Sequence, residues 1–135
     1  MNIMNVAEMI IAYCNEKGIE ITNLKLQKLL FFYQKNHYLK NRNLAFNETF
    51  SAYKYGPVNE RVWIKYKNIN LQNETRELTV DEQKNIEANL GYFLYSEVWF
   101  LVDESHKSQV WKNNVVFHRG LMHNNELIKE WENEI

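Results

Sequence analysis

The sequence predicts a mainly α domain of five or six helices around a buried central helix, with a short β strand or hairpin segment near residues 48–55. Three observations point there. The run from Thr22 to Leu39 reads as one helix too apolar to lie on a surface. The segment from Asn41 to Val58 loses every helical period and turns extended at Thr49–Tyr55. A single proline in 135 residues, with 45% hydrophobic content and no linker or repeat, fits one helical domain spanning residues 1–135.

Each element follows from its own pattern. Val6, Met9, Ile10, Tyr13 and Cys14 form one stripe of a first helix, which Gly18 ends. In the second helix Leu26, Leu29, Leu30, Tyr33 and His37 keep the 3.6-residue period, while Leu24, Phe31, Phe32, Tyr38 and Leu39 fill the other directions. Burial on several sides is the consequence. Thr22 is placed to cap its first turn, and Lys25, three residues on, denies it a capping box. Gly56-Pro57 closes the extended segment, and Pro57 suits the first turn of a third helix whose Val58, Val62 and Tyr66 share a face. Asn68 to Leu78 is an unpatterned loop. Thr79 and Glu82 make a capping box for a fourth helix carrying Ile86, Leu90, Phe93 and Leu94, with Gly91 and Tyr95-Ser96 as its points of interruption. Glu97 to Ser105 reads as a fifth helix and Asn125 to Asn133 as the last.

Composition narrows the function. Sixteen basic against seventeen acidic residues leave a formal charge of −1, so no global field drives the protein onto nucleic acid or an anionic membrane. No run approaches the length of a membrane span. The lone cysteine, Cys14, permits no intrachain disulfide and suits a reducing, cytoplasmic compartment, and Met1–Ile11 lacks the basic region of a secretory leader. Four Trp, eight Tyr and seven Phe exceed what one core needs, leaving aromatics for an interface.

The chain offers little for catalysis. It has no glycine-rich phosphate loop, GxSxG, HExxH or CxxC. Cys14 lies on an apolar stripe and reads as a buried thiol. His118 and His123 are five apart, off a shared helical face, and no companion ligand completes a metal set, so neither metal nor cofactor is expected. Asp103, Glu104 and His106 could do acid–base work, although neighbours on a helix diverge by about 100° and a solvated turn is the plainer reading. Lys25, Lys28 and Lys35 share one side of the central helix; they read as a solvated edge, with phosphate tracking as the rival.

Three pieces, in order, resemble the Panacea domain, also called SocA-like, of bacterial and phage antitoxins. The first is Asn23-Leu24-Lys25-Leu26-Gln27-Lys28-Leu29-Leu30, similar to the opening of that family's core helix. The second is Tyr55-Gly56-Pro57-Val58. The third is Ser105-His106 with Trp111 five residues after the histidine. Val110 and Glu60 stand where the family commonly has proline, and Ser105 where it has threonine. The resemblance implies a non-enzymatic antitoxin that neutralises a toxin protein encoded by an adjacent gene, by direct contact or as an adaptor delivering the toxin to a protease. A small enzyme built on His106 and a nucleic-acid-binding regulatory module are the rivals.

Each motif also has a structural role to play. The leucines serve packing. The Tyr53-Lys54-Tyr55 alternation predicts inward tyrosines and an exposed Lys54. His106 and Trp111 either pack on each other or touch the partner, and Trp63 and Trp131, among charged neighbours at helix ends, are interface anchors on composition grounds. The candidate partner contacts are therefore Lys25, Lys28, Lys54, Tyr55, Trp63, His106, Trp111 and Trp131.

Overall fold

The computed structural model describes residues 1–74 and 76–134. Its mainly α architecture has, among the described residues, seven α-helices and a three-stranded sheet. None of these helices is long and apolar enough to cross a membrane.

Helix α1 (Ile3–Glu16) begins at Asn2, whose side chain accepts from the Asn5 N–H, and gives way to Gly18 in a left-handed conformation, where the Ile19 N–H closes on the Cys14 carbonyl at 2.8 Å. Helix α2 (Asn23–Asn41) is the central element. Thr22 caps it through the Lys25 N–H at 3.2 Å, and it packs against α1, the second strand of the hairpin and four of the later helices. Every residue from Lys25 to Gln34 is buried, as a helix with neighbours on several sides requires.

The extended segment is a hairpin, β1 (Phe50–Tyr53) and β2 (Gly56–Val58), with Ala52 opposite Pro57. Pro57 is therefore a strand residue and not the first turn of a helix: helix α3 (Glu60–Tyr66) starts three residues later, capped by the Asn59 side chain on the Val62 N–H. Because β1 ends at Tyr53, alternation does not extend through the turn. Tyr53 is half-buried, and Tyr55 is 45% exposed beside an exposed Lys54, which corrects the inward placement of the tyrosines.

Helix α4 (Val80–Leu90) opens on the complete Thr79–Glu82 capping box, reinforced by Arg76 Nη2 at 2.8 Å from Glu82 Oε2. Thr79→Ala should cost about 1 kcal/mol in urea unfolding, with an unchanged denaturant slope. Gly91 stops α4, and a 3-10 turn, Gly91–Tyr95, leads into α5 (Val98–Ser105). Three elements escaped the sequence: a 3-10 turn, Leu71–Asn73, inside the stretch read as a loop; α6 (Gln109–Val115), a short and mostly polar helix; and β3 (Leu121–Met122), which adds to β1 and gives the order β2-β1-β3. Helix α7 (Asn124–Glu132) closes the fold and inserts Leu127 and Trp131 into the core.

Candidate functional site

The polar residues of the central helix are its most unusual feature, because a helix buried on all sides should not carry them uncompensated. Four of those near its start are spent on the backbone of other segments. Asn23 Nδ2 donates to the Trp63 carbonyl at 3.0 Å, Lys25 Nζ to the Leu94 carbonyl at 2.8 Å and Lys28 Nζ to the Pro57 carbonyl at 2.6 Å. Gln27 Oε1 accepts from the Asn59 N–H at 2.9 Å. Lys25 and Lys28 are thus interior tethers and not a solvated edge: Lys28 is 0% exposed, and burial pushes its amine down to about 7. Only Lys35 of that trio reaches the surface region, where it pairs with Glu134 at 2.9 Å.

The three sequence motifs meet around the hairpin. Lys28 reaches the strand at Pro57. Gly56, at φ +110°, lies so close to the Lys28 amine and the Ser105 hydroxyl that a Cβ there would fall 2.9 and 2.4 Å from them. His106 stacks on Trp111 with ring centroids 3.9 Å apart and planes 11° from parallel, and Trp111 Nε1 donates to the Tyr53 carbonyl at 2.8 Å. Lys28, Ser105, His106 and Trp111 therefore hold the turn that carries Lys54 and Tyr55. Val110, at a family proline position, uses its N–H to donate to Glu130 Oε1 at 2.9 Å, a bond proline cannot make.

This convergence holds structure in place. His106 has its pKa lowered, by burial first and by the nearby Lys28 charge, and its Nε2 is buried without a hydrogen-bond partner. Asp103 is exposed, whereas Glu104 pairs with Lys107 at 2.5 Å and Ser105 Oγ donates back to the Val102 carbonyl at 2.7 Å. Cys14 is fully buried, and burial raises its thiol to about 11, far from the thiolate a nucleophile requires. Among the described residues no three His, Cys, Asp or Glu side chains are grouped to hold a metal.

The proposed interface tryptophans divide. Trp131 is 1% exposed and packs edge-on to Phe31 in the core, so its charged sequence neighbours mark the solvent side of α7 and not an exposed indole. Trp63 and Trp111 are half-buried. The exposed tryptophan is Trp99, which the sequence reading passed over. At 49% exposure it meets Tyr55 of the hairpin turn edge-to-face, with centroids 5.4 Å apart. Phe100 beside it is 41% exposed and touches Phe93, which in turn contacts Tyr92, 68% exposed. Leu101 and Val102 supply the buried half of α5. Tyr55 with Trp99, and Phe100 with Phe93 and Tyr92, are two exposed aromatic groups that diverge from neighbouring positions of α5, and together they make an aromatic strip of the kind that marks a protein-binding surface.

The run of apolar residues Val98–Val102 carried a signal for this, since a helix of that length cannot bury five consecutive side chains against one neighbour. A family model described as antitoxin SocA-like, Panacea domain, matches residues 26–112, a span holding the first motif from Leu26 onward, the whole of the second and third, and Tyr55, Tyr92, Trp99 and Phe100. No curated protein and no solved structure matches the chain.

Proposed function

Because the chain belongs to the SocA-like Panacea antitoxin family, we propose that it neutralises a toxin protein by direct contact, without catalysis, through the aromatic strip of Tyr55, Tyr92, Trp99 and Phe100. The observation that carries this reading is the strip itself. Lys28 and Trp111 are committed to holding the hairpin through its backbone carbonyls, while four large aromatic side chains stand exposed on the hairpin turn, the 3-10 turn and α5. Tyrosine and tryptophan dominate binding energy at interfaces, and a standard interface of about 800 Å² per partner has room for the strip at its centre. The partner is the product of an adjacent gene, and the site of action is the cytoplasm.

The test is to induce the neighbouring open reading frame in a bacterial host with and without this chain and to follow growth. Toxicity alone and growth in the presence of the chain support the reading. A harmless neighbour, or one toxic regardless, overturns it for that pair. Trp99→Ala should then lose protection and weaken copurification at least tenfold while the thermal melt stays within a few degrees of wild type, since half of the indole is already in water. Loss of protection with copurification intact and the toxin's lifetime shortened in the wild type would instead identify proteolytic delivery.

A further inference from the structure

Beyond its apolar area, the strip has an electrostatic character that specifies what should sit on it. Trp99 and Asp103 are one helical turn apart on α5, so both project from the same exposed face. Asp103 forms no ion pair and no side-chain hydrogen bond among the described residues, unlike Glu104, which Lys107 neutralises; the nearby His106, whose pKa the Asp103 charge raises against the larger effect of burial, is not bonded to it. Glu97 at the start of α5 is exposed and makes no capping bond, and α5 contains no basic residue. Lys54 on the hairpin turn lies over the Tyr55 ring, 5.4 Å from its centroid, Arg119 lies over Tyr53, and Lys107 is near Tyr92. No lysine or arginine among the described residues lies over Trp99.

Building on the antitoxin reading, we propose that the strip receives an arginine side chain of the toxin, its guanidinium laid on the Trp99 indole and bonded to the Asp103 carboxylate. Tryptophan is the strongest cation-binding ring among the side chains. A guanidinium combines a flat face for the ring with a fork of N–H donors for the carboxylate, which an ammonium lacks. An apolar side chain would use the ring and leave Asp103 to be desolvated without a partner, a cost the arginine removes.

Two measurements on the full chain test this. In the first, N-acetylarginine amide and N-acetylleucine amide are titrated while the Trp99 indole N–H is followed by NMR. The arginine amide should shift that resonance at least threefold more than the leucine amide, and Asp103→Asn should abolish the difference. Equal shifts from both, or an unchanged difference in Asp103→Asn, overturn the proposal. In the second, the toxin found by the growth assay is titrated against wild type, Asp103→Asn and Asp103→Lys. Binding should weaken about tenfold with asparagine and about a hundredfold with lysine, and the wild-type affinity should fall as salt is raised. If Trp99→Ala loses binding while Asp103→Lys binds as wild type, the antitoxin surface stands and the arginine is excluded. If neither substitution matters, the strip itself is not the contact.

Discussion

Gly56→Ala should be among the most damaging single-methyl additions this chain can receive. At φ +110° an alanine pays for a backbone conformation that L side chains avoid, on the order of 1–3 kcal/mol. Its Cβ would also stand 2.4 Å from Ser105 Oγ and 2.9 Å from Lys28 Nζ, and neither group is free to retreat: Ser105 is buried and bonded to Val102, and Lys28 is buried and bonded to Pro57. Overpacking of that kind adds roughly 1–3 kcal/mol. A total of about 2–6 kcal/mol is a large share of the stability of a domain this size and should lower the melting temperature by roughly 5–25 °C. Gly18→Ala is the matched control. Gly18 also has positive φ, +69°, but open space where a Cβ would go, so only the backbone cost of roughly 1 kcal/mol should appear. Equal losses at the two positions in chemical denaturation would show that the space around Gly56 is not tightly filled.

Raising the pH from 7 to about 9.5 should stabilise the protein, and Lys28→Met should remove most of that gain. In the unfolded chain the Lys28 amine keeps its proton up to about pH 10.5, whereas burial without a carboxylate partner brings the folded value down to about 7. Between those limits the unfolded state binds more protons, so stability climbs with pH by up to about 1.4 kcal/mol per unit, reaching several kcal/mol across the window. Lys25, lowered by desolvation, adds a smaller contribution of the same sign, and His106 extends that sign toward lower pH because its folded value is also depressed. The rise is capped from above. Tyr13 and Tyr33 have raised values, so beyond about pH 10 the unfolded chain sheds phenolic protons first and stability falls. Urea unfolding at pH 7, 8.5 and 9.5 checks this. A flat wild-type profile would mean that Lys28 is not held neutral in the interior.

The parts of the fold written in short-range pattern were readable, and those decided by distant partners were not. The central helix, the Thr79–Glu82 box and the stripe of α1 depend on spacing within one segment, and each stands where its spacing put it. The lysines of α2 were misplaced because a lysine on a helix is ordinarily solvated; only the Pro57 and Leu94 carbonyls, 29 and 69 residues away, make burial tolerable. Pro57 has the same fixed φ in a strand as at a helix start, so its pairing with Ala52 decided the matter. Helix α6 carries Gln109, Lys112, Asn113 and Asn114 with little apolar period, and its N-terminus is held by Ser108 and by Glu130 from α7, a partner no local window contains. For the strip, Trp99 and Phe100 sit in one run with Leu101 and Val102, and nothing local says which half faces water. Trp131 shows the converse, an indole ringed by charge in sequence and by Phe31 and Tyr38 in space.

The position of β1 between β2 and β3 bears on synthesis as well as on shape. Phe50 and Ser51 pair with Met122 and Leu121, which leave the ribosome roughly seventy residues later. Until then one edge of β1 has no ladder partner, although α1 and α2 are already complete, and a growing chain in that condition offers strand-pairing groups to its neighbours. The sheet can therefore be completed only once residues 121–122 have been translated, well after α1 and α2 have been made.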